Sequence, residues 1–336
     1  MTTTALIGGS AFRGMRPVNL RADLSGMTDL VELCFGPTMD ETGRAAIREM
    51  RMMAQSSAFW MLFRAVNSVV SDLERGFVWI EDGRLIGNVS VAPGHYPQDM
   101  GKGFVIANVA VHPDFRRRGL AKRMLAASLD LIREQEGAFA VLQVDASNHG
   151  ARQLYTSFGF VEERTFVDWR RPWHVRPPAR FVPMPFMTLR QGNEWRDEFE
   201  LAQMVRPNAR GGLGWLRPTH PDLFRPSLRR VILNGILGKT EEQWIIRHPN
   251  GQGIAASMRA MRSFGGADRL EMLVHPSQQG QLELPLLNYA LRRLADRFHP
   301  TAIEHPEDDE AATAALESNQ FERRFTTVHM RYDFKK

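Results

Sequence analysis

The chain has one cysteine, Cys34, among 336 residues. That excludes an internal disulfide and a cysteine-built zinc cluster, and no metal is expected. Lysine is nearly as scarce: of 43 basic residues only Lys102, Lys122, Lys239, Lys335 and Lys336 are lysine, and tyrosine occurs four times. No apolar run approaches the roughly 18 residues a membrane span needs, so no membrane partner is expected. The opening MTTTALIGGSAFRG lacks the basic start and apolar stretch of a signal peptide, and a cytoplasmic setting is expected. Strong charge of one sign is also missing. The net charge is +5, made of +1 over residues 1–174 and +4 over 175–336. Neither half is the basic domain that nucleic acid demands, so no nucleic-acid partner is expected. The dense basic cluster is Arg116-Arg117-Arg118, followed by Gly119, Lys122 and Arg123.

What is present is length enough for about two domains. Residues 172–187, PWHVRPPARFVPMPFM, carry five prolines. Proline fixes φ and disfavours helix at itself and at the residue before. The chain therefore divides into a domain at 13–174, a Pro-rich linker at 175–187 and a domain at 188–336. The first half reads as a strand at 15–20, a helix at 29–35 and a long helical pattern over 43–74. Strands at 77–80 and 85–91 follow, joined by the hairpin turn Glu81-Asp82-Gly83-Arg84. A strand at 104–111, a helix at 120–134, a strand at 139–144, a short helix at 148–158 and a closing strand at 161–169 complete it. This is an α/β pattern with an antiparallel meander at its centre. The fold class expected is a mixed, mostly antiparallel sheet flanked by helices.

The second half repeats the plan. Val111-His112-Pro113 recurs as Val274-His275-Pro276, 163 residues on. Leu154-Tyr155-Thr156-Ser157-Phe158-Gly159-Phe160 is echoed weakly by Ala315-Leu316-Glu317-Ser318-Asn319-Gln320-Phe321 at an offset of 161. A helix at 282–298 and a closing strand at 325–334 keep the same order. Tripeptide, helix and closing strand together point to duplication.

The informative segment runs from Val109 to Leu125: a strand, a Pro-ended turn, a basic loop with a glycine, then a helix. The first turn of a helix presents backbone N–H groups with no internal partner, and its dipole puts partial positive charge there. Such a start is a site for phosphate or pyrophosphate. Gly119 and Ala121 keep side chains out of an anion's way, and the arginines add charge at the rim. The bland alternative is a solvated basic helix start.

Arg116-x-x-Gly119-x-Ala121 resembles the acetyl-CoA motif Q/R-x-x-G-x-G/A of the GNAT superfamily of N-acetyltransferases. It is not a P-loop, having no Gly-Lys-Ser/Thr, and it lacks the three-glycine dinucleotide fingerprint. Residues Asn148 to Phe160 match the family's second hallmark, N-x-x-A-x-x-L-Y-x-x-x-G-F, in full. The resemblance covers roughly residues 13–170 and implies two tandem GNAT-like domains, the second degenerate. It implies acetyl-CoA as co-substrate, lying in a gap beside the strand Val109-Ala110-Val111. The backbone of Val109 and Val111 would bond the pantetheine arm. Arg116, with the backbone N–H groups of Arg117, Arg118, Gly119, Leu120, Ala121 and Lys122, would hold the pyrophosphate. Asn148 would touch the pantetheine or thiol region. Tyr155 would be the general acid for the leaving thiolate, since a phenol's unperturbed pKa near 10 is close enough to a thiol's to return a proton.

The activity so implied is transfer of an acetyl group to a primary amine, on a small molecule or peptide, by direct attack in a ternary complex. The rival is a non-catalytic acyl-CoA-binding sensor or scaffold. Many family members use a glutamate base on the strand entering the motif; here Val105 to Val111 offers only Asn108. Asp145, Glu81 and His112 are the other candidates, and the base is left unassigned. Met50, Met52, Met53, Phe59, Trp60, Met61 and Phe63 read as core or as an apolar wall for the acceptor. In the second repeat Leu282 stands where Gly119 does, Glu283 where Leu120 does, Leu316 at Tyr155 and Asp309 at Asn148. A carboxylate beside the loop repels a pyrophosphate, so acyl-CoA binding is expected in the first repeat only. A homodimer stays open.

Overall fold

The structure, a computed structural model, describes residues 12–36, 39, 41–55, 75–178, 187–214, 216–236, 238–249, 251, 253–262, 266–295 and 299–335. The chain divides into two compact units. The first is Met1–Gly94, Lys102–Ala140 and Phe334–Lys336; the second is His95–Gly101 and Val141–Asp333.

The first unit contains β1 (Gly14–Pro17), α1 (Leu20–Phe35), α2 (Glu41–Gln55), β2 (Gly76–Glu81), β3 (Arg84–Pro93), β4 (Gly103–Val111) and α3 (Leu120–Glu134). Its strands lie in the order β1-β2-β3-β4, every pair antiparallel. The apolar stripe read from the sequence becomes the buried face of α3: Leu120, Met124, Leu125, Leu129 and Ile132 are all buried. Burying each such side chain is worth about 1.5–3 kcal/mol. Where α3 crosses β3, a Cβ at Gly87 would lie 3.0 Å from both Met124 Cε and Trp79 Cβ. Only glycine fits there without displacing a neighbour.

Helix α1 starts nine residues before the expected Asp29. Asn19 caps it, its side chain accepting from Ala22 N at 3.3 Å, while Asp23 takes the Asn19 N–H at 2.7 Å. This is a reciprocal N-terminal cap. Gly26 lies inside α1, where a Cβ would come within 3.2 Å of Leu85 Cβ. Of the long helical pattern over 43–74, α2 covers Glu41–Gln55 and residues 56–74 lie outside the described residues.

The second unit takes β5 (Phe139–Asp145) from residue 141 onward, α4 (His149–Phe158), β6 (Val161–Arg171), β7 (Met187–Leu189), α5 (Trp195–Val205) and α6 (Leu228–Ile236). It continues with β8 (Thr240–Arg247), β9 (Ile254–Arg262), β10 (Asp268–Val274), α7 (Glu283–Arg293), β11 (Thr301–Pro306), α8 (Glu310–Ser318) and β12 (Glu322–Asp333). The order is β5-β12-β6-β11-β10-β9-β8-β7, with β10 and β11 parallel. The second repeat thus follows the element order of the first.

The closing strands are traded. Strand β6 ends the first repeat, yet it pairs antiparallel with β11 (Trp169↔Ile303) and with β12 (Val167↔Thr326). Strand β12 ends the second repeat and lies between β5 and β6. The compact division therefore falls within β5 rather than at the proline-rich stretch, of which 179–186 lie outside the described residues. Helix α7 is shorter than the expected 282–298, ending at Arg293. No helix among the described residues is long and apolar enough to cross a membrane.

Candidate active site

The first unit brings Val109 to Lys122 together as the end of β4, a turn and the start of α3. His112 caps the short 3-10 turn Pro113–Phe115, its Nδ1 accepting from Asp114 N at 3.3 Å. The chain then needs two left-handed residues, Arg117 at φ 61° and Gly119 at φ 76°. Among the described residues none offers a backbone acceptor to the N–H groups of residues 117–122; the first helical bond is Arg123 N to Gly119 O at 3.1 Å. A Cβ built on Gly119 meets nothing within 4 Å, so the space in front of the helix start is open. Free N–H groups and an open approach suit a pyrophosphate.

Two of the expected site residues meet each other. Arg116 is exposed, and its Nε donates to Val111 O at 3.1 Å, so it also braces the loop. Val111 O also accepts from Cys34 Sγ at 3.5 Å. That carbonyl therefore has two local donors. Cys34 lies outside both motifs in sequence, but α1 carries it to the loop. Arg118 stacks over Phe115 at 4.7 Å and approaches Glu81 at 3.8 Å.

Strand β4 carries a feature the sequence reading missed. Asn88 faces Ala110 and Ser90 faces Ala107, so Asn108 and Val109 together oppose the single Val89. Asn108 has φ 52°, a left-handed conformation that asparagine tolerates. Buried Asn88 fixes this bulge, its Nδ2 donating to Asn108 O at 3.1 Å. A bulge bends its strand and re-aims side chains. Asparagine at a strand position was the available signal.

Asn148 and Tyr155 lie in the second unit. Asn148 is the N-cap of α4, its Oδ1 accepting from Ala151 N at 3.1 Å; only its Nδ2 is left for a ligand. Tyr155 is 6% exposed, its ring packed near Phe160 at 6.0 Å. Among the described residues its hydroxyl has no hydrogen-bond partner. Burial pushes the phenol up to about 12, higher than the value near 10 assumed from sequence.

Each base candidate has a local task. His112 Nδ1 caps its turn, and Arg84 Nη2 stands 3.1 Å from its Nε2. Glu81 is paired with Arg13 and Arg118. Asp145 Oδ1 accepts from Ser147 N at 2.8 Å and Ser147 Oγ at 2.6 Å. Met50 packs on the Leu20, Leu24, Met27 and Val78 cluster, whereas Met52 and Met53 are exposed. Phe59, Trp60, Met61 and Phe63 lie outside the described residues.

The second repeat keeps the loop and fills it. His275 caps Pro276–Gln278 as His112 caps its own turn. Gly280, at φ 80°, stands where Arg117 stands. Its N–H is taken by Glu283 Oε2 at 2.9 Å. Glu283 is 2% exposed, and its other oxygen has no partner. Burial raises its pKa, against backbone N–H groups of Glu283, Gly280 and Leu282 that favour the carboxylate. An internal anion thus takes the N–H group that an outside one would need. Asp309 caps α8 as Asn148 caps α4, and Leu316 is wholly buried where Tyr155 stands. Glu271 occupies the position of Asn108, but it is locked between Arg217 and Arg259. Burial pushes its pKa up, and those arginines outweigh burial and hold it low.

Comparison with known proteins bears on the same segment. The model of the acetyltransferase (GNAT) family matches residues 42–160. Mycothiol acetyltransferase of Acidimicrobium ferrooxidans is 35% identical over 100 residues, 29% of this chain and 32% of that protein. The [ribosomal protein bS18]-alanine N-acetyltransferase of Salmonella typhimurium is 44% identical over 55 residues, 16% of this chain and 37% of that protein. The chain thus spans about a third of the length of these curated relatives. A GCN5-related N-acetyltransferase from Sphaerobacter thermophilus aligns with TM-score 0.62 at 15% identity, over 96% of each chain. A tandem GNAT protein from the clavulanic acid biosynthesis pathway aligns with TM-score 0.56 at 15% identity, over 95% of this chain and 98% of that one. These two share the fold along nearly the whole chain, second repeat included. Both hallmarks lie inside residues 42–160, the segment that the acetyltransferase (GNAT) family model matches.

Proposed function

We propose that the protein is an N-acetyltransferase that moves the acetyl group of acetyl-CoA to a primary amine of a small molecule or peptide. The observation that carries this is the loop at 117–122, with unclaimed N–H groups and an open approach at Gly119. Acetyl-CoA supplies the acyl group as an activated thioester. The backbone of residues 117–122 binds its pyrophosphate, and Val109 aligns the pantetheine arm. The amine attacks the thioester carbonyl directly, with no covalent enzyme intermediate. The carbon–nitrogen bond forms, the carbon–sulfur bond breaks, and the electron pair leaves on sulfur.

Tyr155 gives its proton to that thiolate. A phenol near 12 stays protonated at neutral pH, as an acid must. It yields the proton only to a strong base, and a thiolate released away from water gains basicity from the same desolvation. The nitrogen gives up two protons, one before the attack and one as the amide forms, to a base or ordered water not assigned to any residue; one of them returns to the Tyr155 phenolate and the other goes to solvent. In this reading residues 13–174 carry the chemistry, 175–187 link, and 188–336 support.

The test is release of CoA, followed with a thiol reagent, across a panel of amines. Steady, amine-dependent release supports transfer. Tight CoA binding without turnover on a wide panel would overturn it in favour of a sensor.

A further inference from the structure

Two stretches distant in sequence meet in the second unit, at His95, beyond the end of β3, and at the turn His220-Pro221-Asp222. His95 Nε2 lies 3.5 Å from Asp222 Oδ2. His220 Nδ1 lies 3.5 Å from the same oxygen. The two rings face each other at 4.3 Å between centroids, and one donor atom of each residue falls within 4.8 Å of the others.

That spacing is close to the edge of a coordination tetrahedron. Zinc bonds of roughly 2.0–2.2 Å to imidazole nitrogen and carboxylate oxygen put neighbouring donors about 3.4 Å apart. The other carboxylate oxygen, Oδ1, faces Arg225 Nη1 at 3.5 Å. An outer partner of this kind orients a ligating carboxylate and leaves Oδ2 to the histidines.

We propose that His95, His220 and Asp222 bind a divalent transition cation of the zinc class. Three protein ligands leave a fourth position for water. The cation ties the segment 95–101 to the turn at 220–222. It competes with one existing bond, the cap from Asp222 N to His220 Nδ1 at 3.2 Å. The turn at His112 has the same local form, with Asp114 3.7 Å away. There Arg84 stands beside the ring at 3.1 Å, and a cationic side chain excludes a metal. Here a second imidazole stands instead.

The experiment uses the full chain without an affinity tag, stripped with a chelator. Zinc is titrated by calorimetry against a competing chelator, and cobalt is followed by its visible absorption. One equivalent of zinc should bind, and His95→Ala and Asp222→Asn should each weaken it at least tenfold. His174→Ala should leave it unchanged. The His95 side chain is 76% exposed, so its removal leaves folding intact, and zinc should raise the thermal midpoint of the wild type but not of His95→Ala. Absence of saturable zinc binding would overturn the proposal, leaving a His95–Asp222 ion pair only. Equal zinc affinity in wild type and His95→Ala would overturn it too.

Discussion

Gly119 separates the two demands a loop of this kind makes. In Gly119→Ala the residue keeps φ 76°, at a cost of about 1–2 kcal/mol for a left-handed L-residue. Lower chain entropy in the unfolded state returns about 0.4–1 kcal/mol. The new Cβ meets nothing within 4 Å, so no clash is added, and the net loss of stability should be about 1 kcal/mol or less. Binding should respond differently, because the methyl group stands where pyrophosphate oxygens approach the N–H groups. Losing one or two hydrogen bonds to a charged group, at about 1.5–3 kcal/mol each, lowers CoA affinity by tenfold or much more. Calorimetry with CoA measures this, and urea unfolding measures stability. An acetyl thioester of N-acetylcysteamine, which has no pyrophosphate, should bind both proteins equally. Full CoA affinity in the alanine variant would refute the reasoning. So would equal loss with the short thioester, which would move the effect to the arm.

Tyr155→Phe should cut turnover at least tenfold with CoA affinity unchanged; and since burial holds the phenol near 12, the wild-type rate should show no alkaline fall below about pH 10. Glu283→Ala, combined with Gly119→Val to silence the first loop, should create binding of inorganic pyrophosphate that the single Gly119→Val protein lacks. His305 is buried beside Arg206 and Asp309, and burial, then Arg206, lower its pKa to about 4. A histidine depressed on folding contributes stability above its unfolded value near 6.5, and that stability is lost as pH falls from there towards 4. The urea midpoint should therefore drop across that window, and His305→Gln should flatten the drop. A bulky maleimide on half-buried Cys34 should weaken CoA binding by pushing on Val111 O and Arg116, as a titration of labelled against unlabelled protein would show.

Much of the first repeat was legible because its signals are local. The stripe Leu120, Met124, Leu125, Leu129 and Ile132 has a single helical reading, and α3 begins and ends as expected. The loop was legible for the same reason, since Gly119 and its flanking basic residues announce a helix start that must bind something. What stayed hidden depends on contacts far along the chain. The first turns of α1 stayed hidden because Leu85, which packs against Gly26 of that helix, is remote in sequence. That Arg116 Nε also donates to Val111 O is invisible in the motif itself. Glu283 was read as repelling an anion, whereas it takes the anion's own hydrogen bond. Asp222 and His95 are 127 positions apart, and no spacing rule joins them.

The traded closing strands make the duplication irreversible. A fragment ending near residue 174 would leave β6 without β11 and β12, its partners on either side, and would display bare strand edges prone to wrong pairing. The converse fragment would leave β11 without β6. Between separate chains such an exchange would depend on concentration; within one chain the partner strand is always at hand, at an effective concentration of roughly millimolar. The second repeat is therefore needed to complete the sheet on either side of β6.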